Sequence, residues 1–347
     1  MAPEREFACA NPVLGQIVIF LAVAVSAKGA PQPCQSCHPA ETNHQVQTSM
    51  AHALSPAPLS SVLKAHPSLS ARLDGVDYQI VREGDQVIYK VQRGAESLIL
   101  PIAWAFGVGN VGQTFVYVNG DALYEARVSF YSSCNCLNIT NGHKDFPAST
   151  ISEAAGRLLS EQETTRCFGC HMSPAGNDFL PGVQCTACHA QAQEHVLSFS
   201  SGDKPVIPER LHSLSSMEMA DRCGVCHRTY SAVRDFGPKT IENVRFQPYR
   251  LVSSKCFNAN DQRISCVACH NPHEEVRKNA DFYDAKCQAC HAPVAKDKKM
   301  VSTLKLCPVA KRNCTTCHMP KTELPEMRNT FTDHRIRVVH KGESYPG

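Results

Sequence analysis

The chain has 347 residues, 43% hydrophobic and 19% charged, a globular balance with room for about two domains. Its 35 Lys and Arg nearly cancel its 32 Asp and Glu, and a net charge of +3 without a Lys/Arg run excludes a nucleic-acid binder. No long apolar span follows residue 30, which excludes a polytopic membrane protein, and the unusual counts are 19 Cys and 16 His.

Residues 1–27 read as a signal peptide. Arg5 gives a weak positive n-region, an apolar run covers 13–25, and Val25-Ser26-Ala27 offers the small residues of a cleavage site. The expected mature chain starts near Lys28 and is exported, to a periplasmic or extracellular location; a retained N-terminal anchor is the alternative. Cys9 precedes the apolar run and is not placed to carry a lipid.

Next come a first motif-bearing segment, 28–70, and a β-rich module, 71–135. Strand-like runs at 78–82 and 87–92 flank Glu83-Gly84-Asp85-Gln86, a hairpin signal. Further runs at 97–105, 114–119 and 122–130, with a turn at Asn119-Gly120-Asp121, make an antiparallel module of about five strands. Trp104 reads as a packing residue. Residues 151–163 carry Ala and Leu at helical spacing and predict one helix leading into the second motif.

Seven C-x-x-C pairs are each followed at once by His. They are Cys34, Cys37 and His38; Cys167, Cys170 and His171; Cys185, Cys188 and His189; Cys223, Cys226 and His227. Then follow Cys266, Cys269 and His270; Cys287, Cys290 and His291; Cys314, Cys317 and His318. C-x-x-C-H is the attachment signature of c-type haem. Two thioethers tie the porphyrin to the backbone, and the adjacent His reaches the iron. Zinc sites and disulfides also use paired cysteines, but neither needs His after every pair, and seven coincidences have a chance of order 10⁻⁹. The reading is seven covalent haems c. Six of them fall between Cys167 and His318, inside a segment 136–347, and the short steps from Cys167 to Cys185 and from Cys266 to Cys287 suggest closely stacked pairs. So little chain per haem predicts a mostly α and irregular fold with a haem-packed core, plus the small antiparallel β module.

Seven irons each need a sixth ligand or an open site. Outside the motifs, His52, His195, His273 and His334 rank first as distal ligands, then His143, His212 and His66, with His44 and His340 spare. His195 and His273 stand too near their own motifs to swing round their own haems, so each more plausibly caps a neighbouring one. Met50 rivals His52; Met172 and Met319 directly follow proximal histidines and point away. Of the remaining cysteines, Cys134 and Cys136 are too close for an easy mutual disulfide, and Cys256 and Cys307 are expected to pair.

These residues resemble multihaem c-type cytochromes of the broad group that includes relatives of nitrite reductase and hydroxylamine oxidoreductase. The resemblance lies in CVACHNPHEE (266–275), CTTCHMPK (314–321), FTDHRIRV (331–338) and the β stretch 101–131, and it covers most of the chain. It implies distal ligands at His273 and His334. No C-x-x-C-K motif is present, so the lysine-ligated catalytic haem of the nitrite reductases has no counterpart.

The expected function is electron transfer through closely packed bis-His haems in the cell envelope, because nine spare histidines suffice for seven irons. The alternatives are a reductase or oxidase of a small nitrogen or sulfur compound at a five-coordinate haem, and a subunit of an extracellular haem filament. The expected partners are redox donor and acceptor proteins of the envelope, with membrane association only through them, and a homo-oligomer where filaments form. Residues 1–27 carry a charge of −1, so the mature apoprotein is near +4. Seven oxidised haems at about −1 each bring it to about −3, and full reduction towards −10. Docking would then rest on local basic patches such as Lys296-Asp297-Lys298-Lys299.

Overall fold

The computed structural model describes residues 33–144, 147–202, 204–291, 307–340, 342, 343 and 345. The expected signal peptide, Cys9 and the basic patch at Lys296 lie outside them. No helix among the described residues is long and apolar enough to cross a membrane.

The dominant element is a ten-stranded antiparallel sheet curled into a half-barrel. Its strands are β1 (Leu54–Pro56), β2 (Ser68–Leu73), β3 (Val76–Glu83), β4 (Gln86–Arg93), β5 (Glu96–Phe106), β6 (Gly112–Asn119), β7 (Ala122–Ala126), β8 (Val128–Tyr131), β9 (Cys136–Ile139) and β10 (Gly156–Leu158). The path runs β10-β7-β6-β5-β4-β3-β2; β1 pairs with β5, and β8 bridges β6 and β9. Alternation builds the strands: Val76, Tyr78 and Ile80 on β3 and Val87, Tyr89 and Val91 on β4 point inward, with polar residues between them. Asp74 and Gly75, both at positive φ, form the two-residue turn whose twist suits a hairpin. A register shift between Ile102 and Trp104 bends β5, so its first half pairs with β4 and its second with β1 and β6.

The expectation of a mostly α, haem-packed fold with a small β module is therefore overturned. The sheet runs from residue 54 to 158 and has its own side-chain core, from Ala57 to Ala155. The single helix expected at 151–163 is also corrected. The chain forms helix α3 (Ile151–Ala155), then β10, then a new helix that starts at Glu161. Gly156 forces the break: a Cβ there would lie 2.1 Å from the Glu125 carbonyl oxygen, as β10 closes onto β7.

Short helices carry most of the rest. Counting α1 (Pro39–Gln45) and α2 (Ser61–Ala65), the series continues past α3 with α4 (Glu161–His171), α5 (Cys185–Cys188), α6 (Ala192–Ser201), α7 (Ser216–His227) and α8 (Tyr230–Phe236). It ends with α9 (Gln247–Val252), α10 (Cys266–Cys269), α11 (Ala280–His291) and α12 (Cys314–His318). Thr150, Ser160 and Ser215 each cap a helix with a Glu three residues on, closing reciprocal capping boxes for α3, α4 and α7. Hairpins β11 (Met172–Ala175)–β12 (Asp178–Pro181) and β13 (Lys321–Leu324)–β14 (Asn329–Thr332) follow the second and seventh motifs.

Two cysteine expectations fail. Cys134 and Cys136 form a disulfide, their Cα atoms 5.1 Å apart across Asn135 at positive φ. Cys256 and Cys307 are free and exposed.

Candidate functional site: the histidine pairs

All seven motifs take the same local form. The motifs of α4, α7, α11 and α12 end their helices, and those of α5 and α10 are single turns. Cys34 starts a turn of the same kind, in which His38 N–H donates to the Cys34 carbonyl at 2.8 Å; His189 and His270 do likewise to Cys185 and Cys266 at 2.9 Å. A helical turn puts the residues at i, i+3 and i+4 on one face, so two thiols and one imidazole converge. None of the fourteen motif cysteines is in a disulfide.

Three motif histidines meet a histidine from elsewhere in the chain. The ring centres of His38 and His195 lie 6.4 Å apart, those of His189 and His273 6.2 Å, and those of His270 and His334 6.2 Å. An imidazole nitrogen sits about 1.1 Å from its ring centre and about 2.0 Å from a bound metal, so two imidazoles on opposite sides of one ion hold their centres about 6.2 Å apart. In each pair the second histidine follows a different motif.

Backbone carbonyls orient several of these rings. Nδ1 of His171 lies 2.8 Å from the Ala53 oxygen, and Nδ1 of His318 2.8 Å from that of Arg337. Nδ1 of His195 lies 2.6 Å from the Val206 oxygen, and Nδ1 of His334 3.0 Å from that of Thr332. An Nδ1–H donated to a carbonyl leaves Nε2 as the lone-pair nitrogen, the arrangement a metal ligand needs. Desolvation lowers the pKa of His171, His189 and His270, and holds the half-buried His334 down to about 4, which keeps these rings neutral at pH 7.

The motifs also touch one another. Cys34 lies close to Cys185, Cys170 to Cys226, Cys223 to Cys266 and Cys287 to Cys314. Cys223 lies close enough to Cys188, and Cys287 to Cys269, to raise the thiol pKa of Cys188 and of Cys269 after the larger effect of burial. In space the motifs thus run first, third, fourth, fifth, sixth, seventh, with the second attached to the fourth. The second motif also abuts the half-barrel, where Phe168 meets the edges of Trp104 and Phe106, and His171 the edge of Phe106.

Other candidates do different work. His143 is buried inside the β module, its Nε2 2.9 Å from Glu125 Oε2, which also takes a hydrogen bond from Arg157 Nε at 2.8 Å. That carboxylate engages Nε2 and ties the ring to the β module. His66 ends α2 and packs on Phe130, with ring centres 5.4 Å apart. His52 and His212 are exposed, and among the described residues no ring packs on either. No second imidazole packs on His171, His227, His291 or His318 among the described residues. Likewise, no group of three or more His, Cys, Asp or Glu gathers there to hold a metal ion. The description of the whole chain as a metal-binding multihaem cytochrome is corrected accordingly: residues 54–158 form a β half-barrel, and among the described residues no cluster of protein ligands encloses an ion.

The motif half nevertheless fits haem on two counts besides the paired rings. Past residue 160 only eight apolar side chains are buried among the described residues, against twenty-seven between residues 51 and 159. Leu197, Phe199 and Val225 stand exposed beside the motifs. Such a segment lacks the apolar burial that offsets chain entropy, and macrocycles with apolar faces would supply it. Second, a cavity of about 330 Å³ adjoins His270 between α10 and α11. Arg277 and Lys286 both lie on its wall, over the ring of Phe282, and offer cations to a carboxylate-bearing group.

Sequence reasoning missed the aromatic wall of Trp104, Phe106 and Phe168, and a buried ion pair, Arg250–Asp333. The sequence's one hint of the latter is Asp333 standing next to His334 in FTDH. Comparison of the chain with protein-family models, with curated proteins and with solved structures returns no match.

Proposed function

We propose that the chain is an electron-transfer protein of the cell envelope, in which a β half-barrel stands between a first haem c segment and a six-haem segment, seven covalently attached haems c in all. The observation that carries this reading is the set of three histidine pairs at 6.2–6.4 Å, each joining a C-x-x-C-H histidine to one from elsewhere. When bound, haem iron supplies reversible one-electron chemistry. The chain's own residues do the rest. The motif cysteines would anchor the haems and the motif histidines would ligate their irons. His195, His273 and His334 would supply the second ligand at the first, third and fifth motifs. The carbonyls of Ala53, Arg337, Val206 and Thr332 fix the tautomer of the rings they hold. The closeness of cysteines from different motifs puts neighbouring attachment points side by side, the spacing that transfer from site to site requires. The partners are then donor and acceptor proteins of the envelope.

Intact-mass measurement of the matured protein tests this and should find seven haem additions. Fewer than seven in fully matured protein would overturn it.

A second reading, reduction or oxidation of a small nitrogen or sulfur compound at an open iron, is favoured by one observation. The ring against His171 is that of Phe106, not a second imidazole. A high-spin signal that shifts on adding nitrite, hydroxylamine or sulfite would select it.

A further inference from the structure

The C-terminal segment around His334 is held by an unusual amount of buried polar structure. The side chains of Arg250 and Asp333 are both 0% exposed. They pair in the two-pronged geometry of guanidinium on carboxylate: Arg250 Nε donates to Oδ1 at 2.8 Å and Nη2 to Oδ2 at 2.9 Å. Arg337 Nη1 donates to Oδ2 at 2.7 Å, and the Arg335 backbone N–H to Oδ1 at 2.9 Å. The guanidinium of Arg250 is satisfied as well, donating to Asn243 Oδ1 at 3.2 Å beneath the ring of Tyr345.

The backbone either side of Asp333 is pinned too. Its N–H donates to the Pro320 carbonyl at 2.9 Å. Ser254 Oγ donates to the His334 carbonyl at 3.1 Å and accepts from Ile336 N–H at 2.8 Å. The strap thus joins α9 to the seventh motif and leaves the His334 ring 6.2 Å from that of His270. A buried ion pair is a poor source of stability, because desolvation cancels most of its attraction, but it specifies position narrowly. Its place one residue before His334 gives that specificity an object.

We propose that Asp333, gripped by Arg250 and Arg337, is the positioning residue that aims His334 at the iron held by His270. This rests on the haem reading above. Asp333 touches neither ring; it acts by fixing the backbone from which His334 projects.

The test uses the full, matured protein and variants H334A, D333N and R337Q. The readouts are covalent haem count by intact mass and spin state by electron paramagnetic resonance. H334A should turn about one haem in seven high-spin with all seven attached, and added imidazole should restore the low-spin signal. D333N should turn a part of that same haem high-spin, also reversed by imidazole, and should add nothing when combined with H334A. A merely structural role would lower the unfolding temperature and leave the spin state alone, so a seven-haem D333N protein as low-spin as the parent overturns the proposal. If D333N fails to mature, R337Q decides, since it removes the Arg337 bond to Asp333, together with Arg337's own bonds to the Arg335 carbonyl and to Glu343, and leaves the Arg250 pair intact. It should show a smaller high-spin fraction, and an unchanged spectrum overturns the proposal. If H334A itself stays low-spin with seven haems attached, ligation by His334 is wrong and the proposal falls with it. A haem count below seven in the parent instead strikes the haem reading.

Discussion

The rings of His189 and His273 lie 6.2 Å apart and within 11° of parallel, although one ends the third motif and the other follows the fifth. Ser49, from the first motif's segment, reaches the same place. Its N–H and hydroxyl donate to Glu275 at 2.6 and 2.9 Å, two residues past His273. Three segments distant in sequence therefore share one junction, and removing the second histidine should be felt there and nowhere else. H273A should keep every covalent haem and turn about one haem in seven high-spin, read by electron paramagnetic resonance.

H143A should behave oppositely. His143 is buried, and its partner Glu125 would lose one hydrogen bond and keep Arg157. The half-barrel should lose about 1–3 kcal/mol in denaturant unfolding, while haem count and spin state stay as in the parent.

Gly182 sits where β12 turns towards the third motif, at φ +79°, and a Cβ there would lie 1.8 Å from the Ala51 carbonyl oxygen. G182A should cost roughly 1–3 kcal/mol and loosen the first segment from the second motif, seen as faster proteolysis near residue 51.

Acid should weaken the start of α4. The Ser160 backbone N–H, and after it Arg157, hold Glu163 down to about 2. A carboxylate depressed on folding contributes stability that is whole above its unfolded pKa of about 4.3 and is lost as pH falls through about 2. Between those limits the stability of E163Q should fall less steeply than that of the parent, checked by thermal unfolding across the range.

Alkylation of unreduced protein should label Cys256 and Cys307 and spare Cys134 and Cys136. Protection of Cys256 and Cys307 would show that they pair after all.

The central hairpins were legible because β3 and β4 alternate apolar and polar residues around a Gly-containing turn. The sheet's full extent was not, because β1 and β10 have three residues each, too few to show a period, and join only through long-range pairing. The helix expected at 151–163 was misread because Ala and Leu spacing outweighed Gly156, whose need is set by a carbonyl on β7. At the site, Cys and His spacing announced each motif locally. Which histidine meets which motif is decided by tertiary contacts such as the Arg250–Asp333 pair, and spacing does not encode those.

In all three ring pairs the motif histidine comes earlier in the chain than its partner: 38 before 195, 189 before 273, 270 before 334. A polypeptide made from its N-terminus therefore presents each of these three motifs before the histidine that meets it. Each stretch waits, half finished, on a later one, and the last of these dependencies closes only when residue 334 arrives. A chain stopped short of that point would hold every C-x-x-C-H motif and still leave His270 without its counterpart.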